Sequence, residues 1–218
     1  MKGDKIVVEE YHHRAADAIV SAIIDAIRDK PSRYTITVSG ESGSGKSETA
    51  RAIAERLESL GIHSMILGQD DYFVHPPKTN DAMRRRDPAW LGTVEVKLDL
   101  LNEHLKAAIR GVTFLVKPLV DYNADRVEDE QVGLHGINVV IAEGTYTALL
   151  KFVDTKVFIA RNRIETLEHR KKRNRGTEMA DPFIEGILET EHRIIMGHRH
   201  LADFVITRDY DVIPVERP

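Results

Sequence analysis

The chain contains no cysteine, which excludes a disulfide framework and any thiolate metal site. It has no uncharged apolar run near the length of a membrane span. Its first residues, Met1-Lys2-Gly3-Asp4-Lys5, lack the apolar core of a signal peptide. Nor is positive charge in excess. Thirty-one Lys and Arg against 35 Asp and Glu give a net charge of −4, the wrong sign for a general nucleic-acid binder. Internal repeats, low-complexity tracts and a dividing linker are missing as well. What is present is an ordinary balance, 42% hydrophobic and 30% charged over 218 residues, enough for one α/β domain with a sizeable core. The expectation is a single domain over 1–218, soluble and cytoplasmic, with no nucleic-acid or membrane partner. A homo-oligomer is left open.

The most informative stretch is Gly40-Glu41-Ser42-Gly43-Ser44-Gly45-Lys46-Ser47, which satisfies G-x-x-x-x-G-K-[ST]. The β-branched run Tyr34–Val38 precedes it as a short buried strand. Good helix formers from Glu48 to Leu57 follow it with helical periodicity. Strand, glycine turn and helix N-terminus are the context that makes this motif a P-loop. The glycines let successive N–H groups curl around a phosphate chain, and the helix adds the positive end of its dipole. Gly40 to Glu48 are therefore the predicted nucleotide contacts. Lys46 would reach the β- and γ-phosphates and Ser47 would ligate Mg²⁺. The pattern predicts a protein that binds ATP with Mg²⁺.

Along the rest of the chain, Tyr11 to Arg28 reads as an amphipathic helix with Ala16, Ile19, Val20, Ile23, Ile24 and Ile27 on one face. With the lead-in from 1 to 33 it would pack against a sheet, leaving His12 and His13 on the surface. His63–Leu67 is a second strand, and Val74 to Thr93 a polar, irregular stretch. A helix from Val96 to Ile109 would turn Leu98, Leu101, Leu105 and Ile109 inward. Val112–Val116 and Gln131–Leu134 are extended segments flanking a charged loop, a small hairpin-like excursion. Asn138–Ala142 and Thr155–Ala160 are further strands. Arg163 to Arg173 and Asp181 to Met196 read as helices, the second with Pro182 at its first position, and Asp203–Thr207 would close the sheet. Strands alternating with helices predict a mainly parallel, five-stranded sheet covered on both faces, a three-layer α/β/α arrangement.

In open α/β sheets ligands sit beyond the carboxyl ends of the strands. One strand there ends in the P-loop, one in Asp70-Asp71 and one in Glu143. Glu143 is placed to hold Mg²⁺, and Asp70 to accept a proton from an acceptor hydroxyl; Asp71 reads as a turn or capping residue. Arg170 and Arg173, spaced i,i+3 in a basic run before Gly176, read as a phosphate lid within 163–180. Arg84–Arg86 suits either a mobile loop or an anionic substrate. His192, His198 and His200 lack a metal-ligand spacing and read as surface residues.

This ordered set resembles the uridine kinase and phosphoribulokinase group of P-loop kinases. The resemblance runs from about Tyr34 to Thr207. It rests on Gly40–Ser47, Gln69-Asp70-Asp71-Tyr72-Phe73, Asp87-Pro88, Pro118-Leu119-Val120-Asp121-Tyr122, Arg126, Ile141-Ala142-Glu143-Gly144, the arginine-rich stretch before Gly176, and Leu201–Ile206. It implies the P-loop nucleoside triphosphate hydrolase fold, Asp70 as the base, Glu143 near Mg²⁺ and substrate, and Arg170 and Arg173 as the phosphate clamp. With Lys46 these form the expected catalytic set. Asp70, Tyr72, Tyr122, Arg126 and Glu143 are the substrate side. The departures fall in the acceptor half. Val120 stands at a tyrosine position, Asp125 roughly where a pyrimidine-reading histidine would be, Phe73 where tyrosine is frequent, and Thr177 at an arginine position.

The expected function is an ATP-dependent kinase acting on a hydroxyl of a small metabolite, a uridine- or cytidine-like nucleoside by resemblance. The alternatives are a sugar, sugar phosphate or pantothenate-like alcohol. Two further classes are a regulatory ATPase without an acceptor and a kinase of a macromolecule docked on Arg84–Arg86.

Overall fold

The computed structural model describes residues 6–161 and 182–216. The expected lid, with Arg170, Arg173 and Thr177, lies outside the described residues. At the centre is β1, Tyr34–Gly40, buried at every position. The other strands are β2 Ser64–Gly68, β3 Phe114–Asp121, β4 Arg126–Gly133, β5 Val139–Gly144, β6 Thr155–Ile159, β7 Phe204–Ile206 and β8 Val212–Pro214. Among the described residues six of them form one sheet in the order β2-β5-β1-β6-β7-β8. The first five run parallel, and β8 returns antiparallel to β7. The expected parallel core is therefore present, and β7 does not close it. The added strand has only three residues and ends in Pro214, a composition tolerated at a sheet edge.

Helices α1, Glu10–Asp29, and α2, Lys46–Ser59, cover one face. Ile19, Ile23, Ile53 and Leu57 pack there against Ile36, Val38, Ile141 and Val157. Helices α3, Pro77–Arg86, α4, Leu98–Ile109, and α5, Pro182–Met196, follow in chain order. On the other face Leu101 and Leu105 of α4 and Ile195 of α5 meet Val140, Ala142 and Phe158. Strand alternation explains the division: Ile141 points to the first layer, Val140 and Ala142 to the second. Each fully buried aliphatic side chain contributes roughly 1.5–3 kcal/mol. Among the described residues no helix is long and apolar enough to cross a membrane.

Three sequence expectations change. The stretch Val74–Thr93 is not irregular throughout, because it contains α3. That helix has little apolar periodicity and is held by polar contacts instead. Asp125, at the tip of the β3–β4 hairpin, accepts from the Lys78 N–H at 2.7 Å and the Thr79 hydroxyl at 2.9 Å, and so caps the first turn of α3. The hairpin strands themselves are longer than expected, paired from Phe114↔Gly133 to Asp121↔Arg126. Thirdly, His12 is not on the surface: it is 2% exposed, at the first turn of α1 beneath the P-loop.

Candidate functional site

Strand register gathers the site. Val38 of β1 lies beside Glu143 of β5, and Glu143 beside Gly68 of β2. The P-loop, Glu143 and the turn carrying Asp70 therefore leave the sheet side by side at its carboxyl edge, where such sheets bind ligands.

Gly45 closes the loop with φ 96° and serves as the N-cap of α2. Beneath it sits Tyr210, from the turn between β7 and β8. The Tyr210 hydroxyl donates to the Ser44 carbonyl at 3.1 Å. It also accepts from Arg161 Nη1 at 3.1 Å and from His12 Nε2 at 3.2 Å. His12 can donate there because its Nδ1 accepts from the Glu9 N–H at 3.0 Å. Tyr210 has φ 64°, a conformation costly for a bulky residue, so this contact holds a strained turn in place. Neither His12 nor Tyr210 carries a local sequence signal for the role.

On the open side, Lys46 Nζ donates to the Glu41 carbonyl at 2.8 Å, which keeps the amine across the loop. Ser42 is exposed at the rim, Ser44 is buried, and Ser47 and Glu48 are half-buried. The first-turn N–H groups of α2 have no intrahelical partner, which leaves them available to an anion. Glu41 is buried with its carboxylate 2.6 Å from His192 Nδ1. This ties the P-loop to α5, and His192 is more than the surface residue expected of it.

The Glu143 carboxyl is raised to about 7, by burial first and the neighbouring Asp70 second. Lys46 and a hydrogen bond from Ser47 pull the other way. Gly144 behind it has φ 156°, and a Cβ there would land on the Gln69 side chain. That close approach lets Gln69 Oε1 accept from the Tyr146 N–H at 2.7 Å. The donor set fits a divalent cation. The Ser47 hydroxyl and the carboxylates of Glu143 and Asp70 are hard oxygens, and a cation beside them would offset the burial and the neighbouring Asp70 that disfavour charge on Glu143. Among the described residues no group of three or more His, Asp or Glu side chains could hold a metal ion by itself.

Asp70 and Asp71 separate cleanly. Asp70 is half-buried and acts electrostatically on Glu143 and Glu191. Asp71 is buried, 2.9 Å from Lys117 Nζ, and accepts from the Val120 N–H at 3.0 Å, so it anchors the hairpin. Tyr72, expected at the substrate, is fully buried in the second core, and its hydroxyl donates to His104 Nδ1 at 2.8 Å. Arg126 is exposed and pairs with Glu128 on its own strand at 2.8 Å, at the hairpin tip beside the half-buried Tyr122. Arg84 is not in a mobile loop: it chelates Glu95 from α3. A cavity of about 580 Å³ at the opposite end of β1, lined by Arg33, Gly61 and Asn138 among others, contains none of these residues.

Residues 35–198 match the model of the Phosphoribulokinase / Uridine kinase family. The chain is 31% identical over 192 residues to a bifunctional alpha-galactosidase/sucrose kinase from Mediterraneibacter gnavus, covering 83% of this chain and spanning only 20% of that protein's length. It is 25% identical over 187 residues to a uridine kinase from Latilactobacillus sakei, covering 81% and 86% of the two chains. Among solved structures, a provisionally named fructose transport system kinase from Silicibacter superposes with a TM-score of 0.68 at 18% identity, over 84% of this chain and 94% of its own. By the share of its length matched, and by the loop and sheet that carry the match, this chain belongs to the Phosphoribulokinase / Uridine kinase family.

Proposed function

We propose that the chain is an ATP-dependent kinase that phosphorylates a hydroxyl group of a small, neutral carbohydrate. The observation that carries this reading is the meeting of Lys46, Ser47, Asp70 and Glu143 at one edge of the sheet. Bound ATP and Mg²⁺ would supply the transferable phosphoryl group and the positive charge that screens it. Lys46 and the amides at the start of α2 hold negative charge. Ser47 and Glu143 hold the cation. Asp70 accepts the proton of the acceptor hydroxyl on its carboxylate. Arg170 and Arg173, on the lid proposed for 163–180, complete the charge clamp.

A sugar is favoured over a nucleoside on two grounds. Asp125, near the position of a base-reading histidine, is spent on capping α3, and Val120 is buried. The relative at 31% identity is named for sucrose kinase activity, against 25% for the uridine kinase. The uridine kinase relatives favour the rival acceptor, a pyrimidine nucleoside.

The test is transfer from γ-labelled ATP to a panel of sugars, sugar phosphates and nucleosides. The expected result is a labelled neutral sugar. Asp70→Asn is expected to lower turnover at least ~100-fold, in the range of a lost general base, while nucleotide still binds. ATP hydrolysis that no acceptor stimulates, or full activity of Asp70→Asn, would overturn the assignment.

A further inference from the structure

Three elements far apart in sequence, α3, the turn before α4 and α5, meet in a buried polar cluster. Arg84 donates to both oxygens of Glu95, at 2.6 and 2.9 Å, and its Nη2 also reaches Glu191 at 3.3 Å. Glu95 is wholly buried and takes two more donors, the Asn80 amide at 2.7 Å and the Gly92 N–H at 2.9 Å. Its capacity is used up, so its role is to orient Arg84.

Arg84 and Glu191 are not used up. Among the described residues Arg84 Nη1 and the second oxygen of Glu191 carry no hydrogen bond. Their side chains keep 19% and 12% exposure, so neither is sealed completely into the core. Tyr146 adds a third unused group: it is 1% exposed, and its buried hydroxyl has no partner. An orphaned buried hydroxyl costs roughly 1–3 kcal/mol, so an unmet group of this kind calls for a partner. Tyr146 lies within the fields of Glu191, Glu95 and Arg84, and Glu191 within those of Lys46 and Asp70. The cluster is therefore on the catalytic side of the molecule.

We propose that Arg84, Glu191 and Tyr146 form the acceptor subsite and select a neutral polyol by binding two of its adjacent hydroxyls, leaving a third hydroxyl for Asp70. This rests on the kinase reading above and names the acceptor's recognition elements. A vicinal diol offers two O–H donors and several lone pairs. A carboxylate oxygen accepts from one hydroxyl, a guanidinium edge donates to its neighbour, and a phenol can do either. The charges disfavour an anionic acceptor. Asp70 acts on both Glu143 and Glu191, and Glu95 on Glu191, with Lys46 and Arg84 opposing them, so a sugar phosphate would bring further negative charge beside these carboxyls.

The experiment is steady-state kinetics of the full chain at saturating ATP, with neutral mono- and disaccharides, their monodeoxy analogues, a sugar phosphate and uridine. The variants are Glu191→Gln and Tyr146→Phe; Arg84 is left intact because Glu95 would otherwise be buried without its cation. For the best neutral sugar, KM is expected to rise about tenfold in each variant, the equivalent of one hydrogen bond, with kcat changed less than threefold. The deoxy analogue lacking the contacted hydroxyl should bind wild type and variant equally weakly, an equality that a purely structural role would not produce. Should a variant fail to fold, wild-type discrimination of at least tenfold between sugar and deoxy analogue is still required. A sugar turned over with unaltered KM in both variants, or a sugar phosphate preferred to its neutral parent, overturns the subsite and leaves the kinase reading intact. Phosphorylation of uridine and of no sugar overturns the sugar reading and the subsite with it.

Discussion

Replacing Gly45 by alanine tests how the phosphate-binding loop is held. At φ 96° a residue with a Cβ costs roughly 1–2 kcal/mol in backbone strain. The Cβ would also land on the Tyr210 hydroxyl and lie 3.1 Å from His12 Nε2. Tyr210 must move, and it gives up its bonds to Ser44, His12 and Arg161, each worth about 1 kcal/mol. The expected loss is about 3–5 kcal/mol, a large part of a typical domain's 5–15 kcal/mol. Gly61 is the control. It also has positive φ, 73°, but nothing lies within 4 Å of its would-be Cβ, so Gly61→Ala should cost only the strain, about 1–2 kcal/mol. Equilibrium urea unfolding of each variant measures both. Tyr210→Phe removes the obstructing oxygen and leaves the ring carbon Cζ at 3.5 Å from the added Cβ, an ordinary contact. The double variant should therefore be about 2 kcal/mol more stable than the sum of the single losses predicts. Additivity within about 0.5 kcal/mol, or equal losses at Gly45 and Gly61, would refute the claim that Tyr210 props the loop.

Two further outcomes follow from buried charge. Because the Glu143 carboxyl is raised from 4.5 to about 7, the folded chain holds a proton that the unfolded chain has released. Its contribution to stability is thus present below about pH 4.5 and is lost as pH rises through 7. Glu143→Gln should flatten that slope and stabilise the ligand-free protein at pH 8 by about 3 kcal/mol, and a parallel pair of pH–stability curves would count against it. Lys117 lies 2.9 Å from both Asp71 and Glu130. Lys117→Met strands a buried carboxylate and should cost about 3–5 kcal/mol in urea unfolding; a loss under about 1 kcal/mol would show that Asp71 does not anchor the hairpin.

The parts of the fold legible in the sequence are those whose cause is local. β1 is a run of β-branched residues, α1 has a clear apolar stripe, and the P-loop depends on backbone angles of a few consecutive residues. The placement of Asp70 and Glu143 at one edge of the sheet was legible because each stands at the carboxyl end of a parallel strand. α3 was not, because its sequence, PKTNDAMRRR, has no apolar face to announce it; a hairpin tip and Glu95 hold it. Tyr72 was misplaced for the opposite reason. It adjoins the two aspartates in sequence, but the short turn at Gln69–Tyr72 leaves Asp70 half-exposed and buries Gln69, Asp71 and Tyr72.

By itself, then, the sequence determined the glycine-rich loop between β1 and α2, the parallel strands that flank it and the two acids at the carboxyl ends of β2 and β5. Each depends on neighbours a few residues away. Only the tertiary structure decided what supports the loop and what lines the acceptor side. Tyr210 and His12 are 198 residues apart, His192 and Glu41 are 151 apart, and Arg84 and Glu191 are 107 apart. Contacts at such separations leave no periodicity or spacing to read, since they arise only when sheet order and register bring the elements together.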